Sequence, residues 1–285
     1  MEQIKIDLHV HSHASDGTDT PSELIAKASE LGLTALALTD HDTISGVEEF
    51  LAAAAGTGVE AVPGVEVSTC VSGREIHIVG LFVNHTDPHL TSFLEKIRSD
   101  RNERNDSMLR KLNSLGYKIS LEELQEKAGG ESIGRPHIAS VLIEKGYFKD
   151  NAEAFERCLR RGRPGYSRRE LPSPEESIKR IHHAGGIAIW AHPLYRNKYT
   201  RSHVRNILKK LVPDGLDGIE CYYPGFTPHQ TRVIIELAEA DDLLLSGGSD
   251  YHGSILPHIH MGTGDGTLAI PGECFLKLKE FVTRS

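Results

Sequence analysis

Cysteine is scarce in this chain, and it contains no long apolar run. The four cysteines lie far apart and form no CxxC pair, so neither a disulfide framework nor a thiolate zinc site is indicated. No stretch reaches the roughly eighteen apolar residues that a membrane span needs, and Glu2 and Lys5 lie where a signal sequence would be apolar. We therefore expect a cytoplasmic protein that has no membrane partner.

Excess positive charge and repetitive sequence are lacking as well. The net charge is −8 with neutral histidines, which argues against a protein that coats nucleic acid non-specifically. There is no low-complexity segment, no solenoid repeat, and no GxGxxG loop after the first predicted strand. With 285 residues, of which 39% are hydrophobic and 25% charged, the chain has the composition of a soluble globular enzyme with a full core.

Histidine, by contrast, is abundant, with 16 residues in the chain. The first apolar run, residues 4–11, predicts a strand that ends in His9 and His11. Their side chains must point to the same face, because successive residues of a strand alternate between faces. Two imidazoles side by side suggest a metal ligand pair, although two buried, hydrogen-bonded histidines are the ordinary alternative for such a pair taken alone.

Apolar runs alternate with amphipathic helical stretches over most of the sequence. Further strands are predicted at 35–39, 59–65, 67–83 as a hairpin around Ser72-Gly73, 186–191, 216–221 and 243–246. Nearly continuous apolar strands that alternate with helices favour a parallel sheet buried on both faces. We therefore predict an α/β fold, a distorted TIM-like (β/α) barrel of about seven units, formed by residues 1–83 and 172–285.

Residues 84–171 have a different sequence pattern. They form long, charged, helical stretches that no convincing strand interrupts. We interpret them as a helical insertion domain that lies over the barrel as a lid. Within it, Arg135 and His137 meet at a predicted helix start. Arg135 can bind a phosphate through two nitrogens, and the helix N-terminus adds a favourable dipole. A solvated arginine and a helix start set by Pro136 alone are the alternative.

A second basic segment of the insertion contains six arginines between Arg157 and Arg169. They either form a solvated helix end or create a local positive rim that attracts phosphate-rich substrates.

Nine histidines and carboxylates recur near the ends of the predicted barrel strands. They are His9 and His11 after the first strand, Asp16 in the next loop, His41 after the second, Glu66 after the third, His77 on the hairpin, His192 after 186–191, and Asp250 and His252 after the last. Taken singly each has an ordinary explanation, such as a turn residue or a cap. In a parallel barrel, however, the strand ends converge on one mouth. Imidazole and carboxylate without thiolate suit Zn, Mn or Fe in a hydrolytic site.

Nine ligands exceed what one ion binds. A carboxylate such as Glu66 can bridge two ions, and a water held between them loses its proton near neutral pH and becomes a nucleophile.

Seven short motifs carry a family resemblance, and they follow one another from one end of the chain almost to the other. The motifs are Asp7-Leu8-His9-Val10-His11, Ser15-Asp16-Gly17, Leu38-Thr39-Asp40-His41-Asp42, Pro63-Gly64-Val65-Glu66, Ile76-His77-Ile78-Val79-Gly80, Ala191-His192-Pro193 and Gly248-Ser249-Asp250-Tyr251-His252. Together they resemble the polymerase and histidinol phosphatase (PHP) family of metal-dependent phosphoesterases. The resemblance implies a distorted seven-stranded barrel with two or three divalent ions at its mouth.

The resemblance also implies a distribution of ligands. The first ion takes His9, His11, Glu66 and Asp250, the second takes Glu66, His77 and His192, and the third takes Asp16, His41 and His252, with Glu66 as the bridge. Because some relatives have histidine at the position of Asp16, the third ion is the least secure.

In the implied mechanism a bridging hydroxide attacks phosphorus in line, and Arg135 offsets the charge of the transition state. The candidates to protonate the leaving oxygen are His137, Asp42 and a metal-bound water. The catalytic residues are thus Glu66, Asp250, Arg135 and His137, of which Arg135 and His137 also bind substrate.

The order of the motifs, the helical insertion and Pro164-Gly165-Tyr166 are similar to nucleotide-acting members of the family. The expected substrate is therefore a nucleoside monophosphate or 3′,5′-bisphosphate. A 5′-to-3′ exonuclease on short 5′-phosphorylated RNA or DNA is the alternative that the arginine segment favours. A cyclic-phosphate phosphodiesterase and a histidinol-phosphate phosphatase stay open, and a non-enzymatic metal-binding regulatory module is disfavoured by the complete ligand set.

Overall fold

Seven strands form a sheet in which every strand pairs with its neighbours in the sequence. A computed structural model describes residues 4–128, 133–194 and 199–284. The strands are β1 (Ile6–Val10), β2 (Ala35–Leu38), β3 (Glu60–Val71), β4 (Arg74–Leu81), β5 (Ile187–Trp190), β6 (Gly218–Tyr222) and β7 (Leu244–Gly247). The α/β class and the hairpin around Ser72-Gly73 are confirmed. The expectation of a uniformly parallel sheet is wrong at β4, which runs antiparallel to both β3 and β5.

The sheet is curled, and its two outer strands approach each other without forming a ladder among the described residues. One isolated parallel bridge joins Val10, at the end of β1, to Tyr251, beyond the end of β7. The fold is therefore an α/β fold with an open, curled sheet of seven strands.

Ten α-helices occur in the described ranges. They are α1 (Pro21–Glu30), α2 (Val47–Ala54), α3 (Pro88–Ser114), α4 (Leu121–Ala128), α5 (Arg135–Glu144), α6 (Asn151–Ala154), α7 (Pro174–His183), α8 (Arg201–Leu211), α9 (Pro228–Ala240) and α10 (Gly272–Arg284). Three of them, α1, α7 and α9, begin with a Thr or Ser cap whose side chain accepts a backbone N–H, followed by proline at the first helical position. This signature made their starts predictable from sequence.

Helix α10 was not predicted from the sequence. It buries Cys274, Phe275 and Leu278 in the same apolar cluster as Ile6 and Leu8 of β1. Helix α10 therefore helps to complete the core around the first strand, which contains His9 and is followed directly by His11. None of the helices in the described part of the chain is both long and apolar enough to cross a bilayer.

The chain divides into two compact units, Met1–Leu94 with Leu171–Ser285, and Glu95–Glu170. The first contains the sheet. Strand β2 is buried along its whole length, because Ala35 and Ala37 pack into one apolar cluster and Leu36 and Leu38 into another. Burial on both faces explains why this strand reads as a continuous apolar run. The second unit is helical and has its own core, which includes Met108, Leu112, Leu124, Ile138 and Leu142.

Candidate metal centre

The first strand of the sheet and the segment that follows the last strand lie against each other at the site. A Cβ atom on Gly248 would lie 2.1 Å from the Cβ of His9, so only glycine lets the segment after β7 lie this close to β1. The backbone N–H of Asp250 then donates to the carbonyl of His9, and that of His11 donates to the carbonyl of Tyr251, each at 2.9 Å. These contacts bring Asp250 beside His9 and His11.

Glu66 lies at the centre of the site, and it does so within a strand. The expectation that it follows the third strand is wrong, because β3 continues as far as Val71 in its long hairpin with β4. Its backbone N–H donates to the carbonyl of Asp40 at 3.1 Å, and its own carbonyl accepts from the N–H of Asp42 at 2.9 Å. The segment after β2 thereby places His41 next to Glu66.

The two oxygens of the buried Glu66 carboxylate face different histidines. Oε1 lies 2.8 Å from Nδ1 of His77 and 2.9 Å from Nε2 of His192. Oε2 lies 2.9 Å from Nδ1 of His41. One carboxylate therefore joins two sets of imidazoles, which is the geometry required of a bridging ligand.

The His9 and His11 pair faces the same oxygen of Glu66. The two Nε2 atoms are 3.1 Å apart, and each lies 3.3 Å from Oε2 of Glu66. Asp250 Oδ1 lies 3.4 Å from Nε2 of His9 and 3.1 Å from Nε2 of His11. The two imidazoles and two carboxylates thus converge on one point, as predicted from their places in the sequence.

Asp16 joins the site from the loop after β1. Its Oδ1 lies 3.3 Å from Nε2 of His252 and 3.6 Å from Nδ1 of His11, and its Oδ2 lies 3.9 Å from Nε2 of His41. All nine candidate ligands predicted from the sequence therefore lie in one cluster.

Three groups of these residues have ligand atoms within 4.8 Å of one another. They are His9, His11, Glu66 and Asp250; His41, Glu66 and His77; and His11, Asp16, His41 and His252. The first matches the set that the family resemblance implies. The other two differ from it, since His41 takes the place of His192 in the second group and His11 enters the third.

The donor set fits a divalent cation on the evidence of its hydrogen bonds. Nδ1 of His9 donates to Oε1 of Glu220 at 2.8 Å, so the neutral ring directs the lone pair of Nε2 towards Glu66 and Asp250. The lone pair of Nε2 then faces carboxylate oxygens, and a bound cation would stabilise this arrangement. In the described residues, moreover, buried Oε2 of Glu66 has no hydrogen-bond partner, although three imidazole nitrogens lie within 3.3 Å. Nitrogen and oxygen ligands without sulfur suit Zn, Mn or Fe.

The charges of the cluster shift its pKa values strongly. Burial by itself raises the pKa of the Glu66 carboxyl, but the surrounding imidazoles outweigh it and hold that pKa well below its usual range. For His11, burial lowers the pKa, and the contacts with Asp250 and Glu66 outweigh it and raise the pKa to about 10. The pKa of His77 is likewise raised to about 10, because Glu66 outweighs burial.

These pKa values predict competition between protons and metal. The raised pKa values favour protonated rings of His11 and His77 in the polypeptide alone, whereas a bound ion requires neutral imidazole. The affinity for Zn²⁺ is therefore expected to rise as the pH is raised from 7 towards about 10, and binding at pH 7.5 should release protons. Calorimetric titration in buffers of different ionisation enthalpy measures both. A flat affinity across this window would contradict the prediction.

Three of the six non-glycine residues with positive φ in the described part of the chain lie at the same site. Asp42, His192 and Asp250 adopt positive φ angles of 55°, 33° and 54°, which non-glycine residues rarely do. Such strain persists only where surrounding contacts hold it, and it is common at functional sites.

Residues that support the ligands were not singled out from the sequence. The buried Glu220 contacts His9, and the hydroxyl of Tyr223 donates to Oδ2 of Asp250 at 2.7 Å. A signal for Glu220 was available, because a carboxylate in a strand that is buried along most of its length needs a polar partner. Asp42 is a candidate to protonate the leaving group. It accepts hydrogen bonds from the N–H and hydroxyl of Ser68, so it helps to fix the position of β3.

Arg135 and His137 belong to the helical unit, so they are described within it. Arg135 is half-buried at the start of α5. Nδ1 of the buried His137 accepts from the N–H of Gly134 at 3.1 Å, which caps the helix and leaves Nε2 as the protonated nitrogen of the neutral ring. Asn105 of α3 donates to the carbonyl of Ile133 at 2.9 Å, so α3 lies beside this helix start.

Known proteins resemble the chain along most of its length. The sequence model of the PHP domain matches residues 7–160. A 5′-3′ exoribonuclease from Haemophilus influenzae is 39% identical over 248 residues, which cover 87% of this chain and 90% of that protein. A 3′,5′-nucleoside bisphosphate phosphatase from Chromobacterium violaceum is 35% identical, with 87% of each chain covered. A structure from Bifidobacterium adolescentis, described as a metal-dependent phosphoesterase, superposes with a TM-score of 0.83 at 28% identity and covers 98% of this chain and 96% of that one.

Proposed function

We propose that this chain, which belongs to the PHP family and is a metal-dependent phosphoesterase, acts on phosphate esters of nucleotides. The single observation that carries the catalytic part is the convergence of histidines and carboxylates on Glu66. The preferred substrate is a nucleoside monophosphate or 3′,5′-bisphosphate, supported by the 35% identical bisphosphate phosphatase.

The cofactor of the proposed reaction is a set of two or three divalent ions, Mn, Zn or Fe. Bound ions would polarise phosphoryl oxygens and lower the pKa of a water molecule. His9, His11 and Asp250 would hold one ion, and Glu66 would share it with a neighbour on the side of His77 and His192. Metal analysis of the purified protein should therefore find at least two ions per chain, and a content of one or none would refute the shared carboxylate.

The chain's own residues have three tasks in this proposal. The ligand histidines must be neutral, and the carboxylates Glu66 and Asp250 must be charged, for an ion to bind. The sheet, as a distorted seven-stranded barrel, would hold these groups rigidly at its mouth. Residues 84–171 would act as a helical insertion domain that supplies phosphate contacts through Arg135 and His137.

A 5′-to-3′ exonuclease is the second candidate, and the relative that is 39% identical favours it. The arginine segment supports it less than the sequence suggested. Arg157 pairs with Glu153, and Arg160 and Arg163 both pair with Glu156, so two carboxylates offset part of the positive charge of the segment.

A substrate panel separates the candidates. Protein loaded with Mn²⁺ or Zn²⁺ is offered AMP, a 3′,5′-bisphosphate, a ribose cyclic phosphate, histidinol phosphate and a 5′-phosphorylated RNA oligonucleotide. The proposal expects the highest kcat/KM on one of the first two substrates. Stepwise release of mononucleotides from RNA at a higher kcat/KM would select the exonuclease instead, and no hydrolysis of any member would refute both.

Replacement of Arg135 by alanine is expected to lower kcat/KM about 10- to 100-fold on the preferred phosphate ester. The reason is the loss of a charge-assisted, bidentate hydrogen-bonded contact with phosphate. Metal content should stay unchanged, because Arg135 is no ligand. Arg157→Ala, in the same unit but ion-paired with Glu153, is the matched control and should retain wild-type kinetics. Loss of metal in Arg135→Ala would contradict the assigned role.

A further inference from the structure

Glu220 makes two hydrogen bonds that no part of the proposed ligand set explains. It lies in β6, and only 1% of its surface is exposed. Its Oε1 accepts from Nδ1 of His9 at 2.8 Å, and its Oε2 accepts from the backbone N–H of His192 at 2.6 Å. One carboxylate thus contacts a residue of β1 and the residue that lies two positions beyond β5.

The contact with the His9 ring fixes which nitrogen faces the site. A carboxylate oxygen accepts hydrogen bonds, so it holds the proton of His9 on Nδ1 and leaves Nε2 with its lone pair. Nε2 is the atom that lies 3.3 Å from Glu66 and 3.4 Å from Asp250. A ring in the other tautomer would direct an N–H at that point and could not bind a cation there.

The contact with His192 acts on the backbone. His192 has a φ angle of 33°, which lies in the region that side chains other than glycine disfavour. The short hydrogen bond from its N–H holds this conformation, in which Nε2 of the ring reaches Oε1 of Glu66 at 2.9 Å. Without that bond the strained residue is expected to relax, and its ring would leave Glu66.

We propose that Glu220 is a positioning residue that prepares two ligands on opposite sides of the shared carboxylate Glu66, so that both metal positions are assembled together. It sets the tautomer of His9 on the Oε2 side and the backbone of His192 on the Oε1 side. The inference rests on the proposed metal-dependent function, because it takes His9 and His192 as ligands.

Glu220→Gln is the sharpest variant, because it keeps the size of the side chain. An amide has one accepting oxygen, whereas both partners of Glu220 are donors. One contact must therefore become donor against donor, or His9 must change tautomer. The affinity for Zn²⁺ is expected to fall about 10- to 100-fold, and the number of tightly bound ions per chain should fall together with it.

Asp217 provides a matched control in the same part of the fold. It lies directly before β6, and its Oδ2 accepts from Nε2 of His182 and from the backbone N–H of Ala188, each at 2.7 Å. Like Glu220 it contacts a histidine ring and a backbone amide, although both contacts use one oxygen, and its histidine is no ligand. Asp217→Asn should bind Zn²⁺ with wild-type affinity, and an equal loss there would show that the effect is general destabilisation and overturn the inference.

A measurement on the unaltered protein guards against a variant that fails to fold. Nitrogen-15 spectra of the zinc-loaded protein with labelled histidine should show His9, assigned by its loss in His9→Gln, with a protected proton on Nδ1. A proton on Nε2 instead, or wild-type zinc affinity and stoichiometry in Glu220→Gln, would overturn the inference. Zinc binding that depends on Glu220 in a protein that hydrolyses no phosphate ester would refute the proposed function and leave this inference standing.

Discussion

Glu66→Gln is expected to lower kcat/KM by at least ~10³-fold on any phosphate ester that the protein hydrolyses. Each oxygen of Glu66 faces its own set of imidazoles, so the amide places an NH₂ group where a cation would be bound. The stabilisation that metal ions give a phosphoryl transition state is worth several kcal/mol, and about 4 kcal/mol corresponds to ~10³ in rate. The measurement is steady-state kinetics together with metal content, which should fall in parallel.

The control for Glu66→Gln makes the same chemical change at the start of the same strand. Glu60 is the first residue of β3 and pairs at the surface with Lys279, so Glu60→Gln should keep wild-type activity and metal content. Circular dichroism shows whether both variants are folded. A folded Glu66→Gln protein with full metal content and wild-type kcat/KM would refute the bridging role.

Asp40→Ala is expected to destabilise the sheet-containing unit by about 3 kcal/mol, because it leaves buried donors without their acceptor. The buried Asp40 accepts from the N–H and hydroxyl of Ser12, at 2.8 Å and 2.6 Å, and from the hydroxyl of Ser15 at 2.5 Å. These bonds hold the loop between His11 and Asp16. Urea unfolding followed by circular dichroism measures the loss, and the third group of ligand atoms should bind metal less tightly as well.

Two further variants bracket the effect of Asp40. Asp40→Asn keeps one accepting oxygen and should lose only part of the stability. Asp241, the exposed C-cap residue of α9, gives the control Asp241→Ala, whose free energy of unfolding should lie within about 0.5 kcal/mol of the wild-type value. A midpoint for Asp40→Ala equal to that of Asp241→Ala would show that the Ser12 and Ser15 contacts contribute nothing measurable.

Local patterns made most of the secondary structure predictable. Strand β2 and the helix starts at Pro21, Pro174 and Pro228 depend on neighbours in the sequence, through burial on both faces and through capping. Helix α10 was missed because what stabilises it is distant: Phe275 packs with Ile6, near the other end of the chain. The reversed direction of β4 was predictable as a hairpin with β3, but its antiparallel pairing with β5 was not.

The chemical character of the site follows from the residue pattern. Histidines spaced two apart on a strand must share a face, and carboxylates and imidazoles at successive strand ends must meet if the sheet curls. The residue types of the candidate ligands therefore follow from the sequence pattern alone. His9 and His11 indeed lie with their Nε2 atoms 3.1 Å apart.

How those groups are shared and supported depends on contacts between distant parts of the chain. Glu66 faces two sets of imidazoles because β3 extends past its parallel neighbour β2. Asp250 reaches His9 because Gly248 permits the close approach of β7 to β1, and Glu220 holds His9 from 211 positions away in the sequence. Such contacts join residues that are far apart in the sequence, which no local pattern encodes, and for that reason the partners that orient each ligand became visible only in the folded protein.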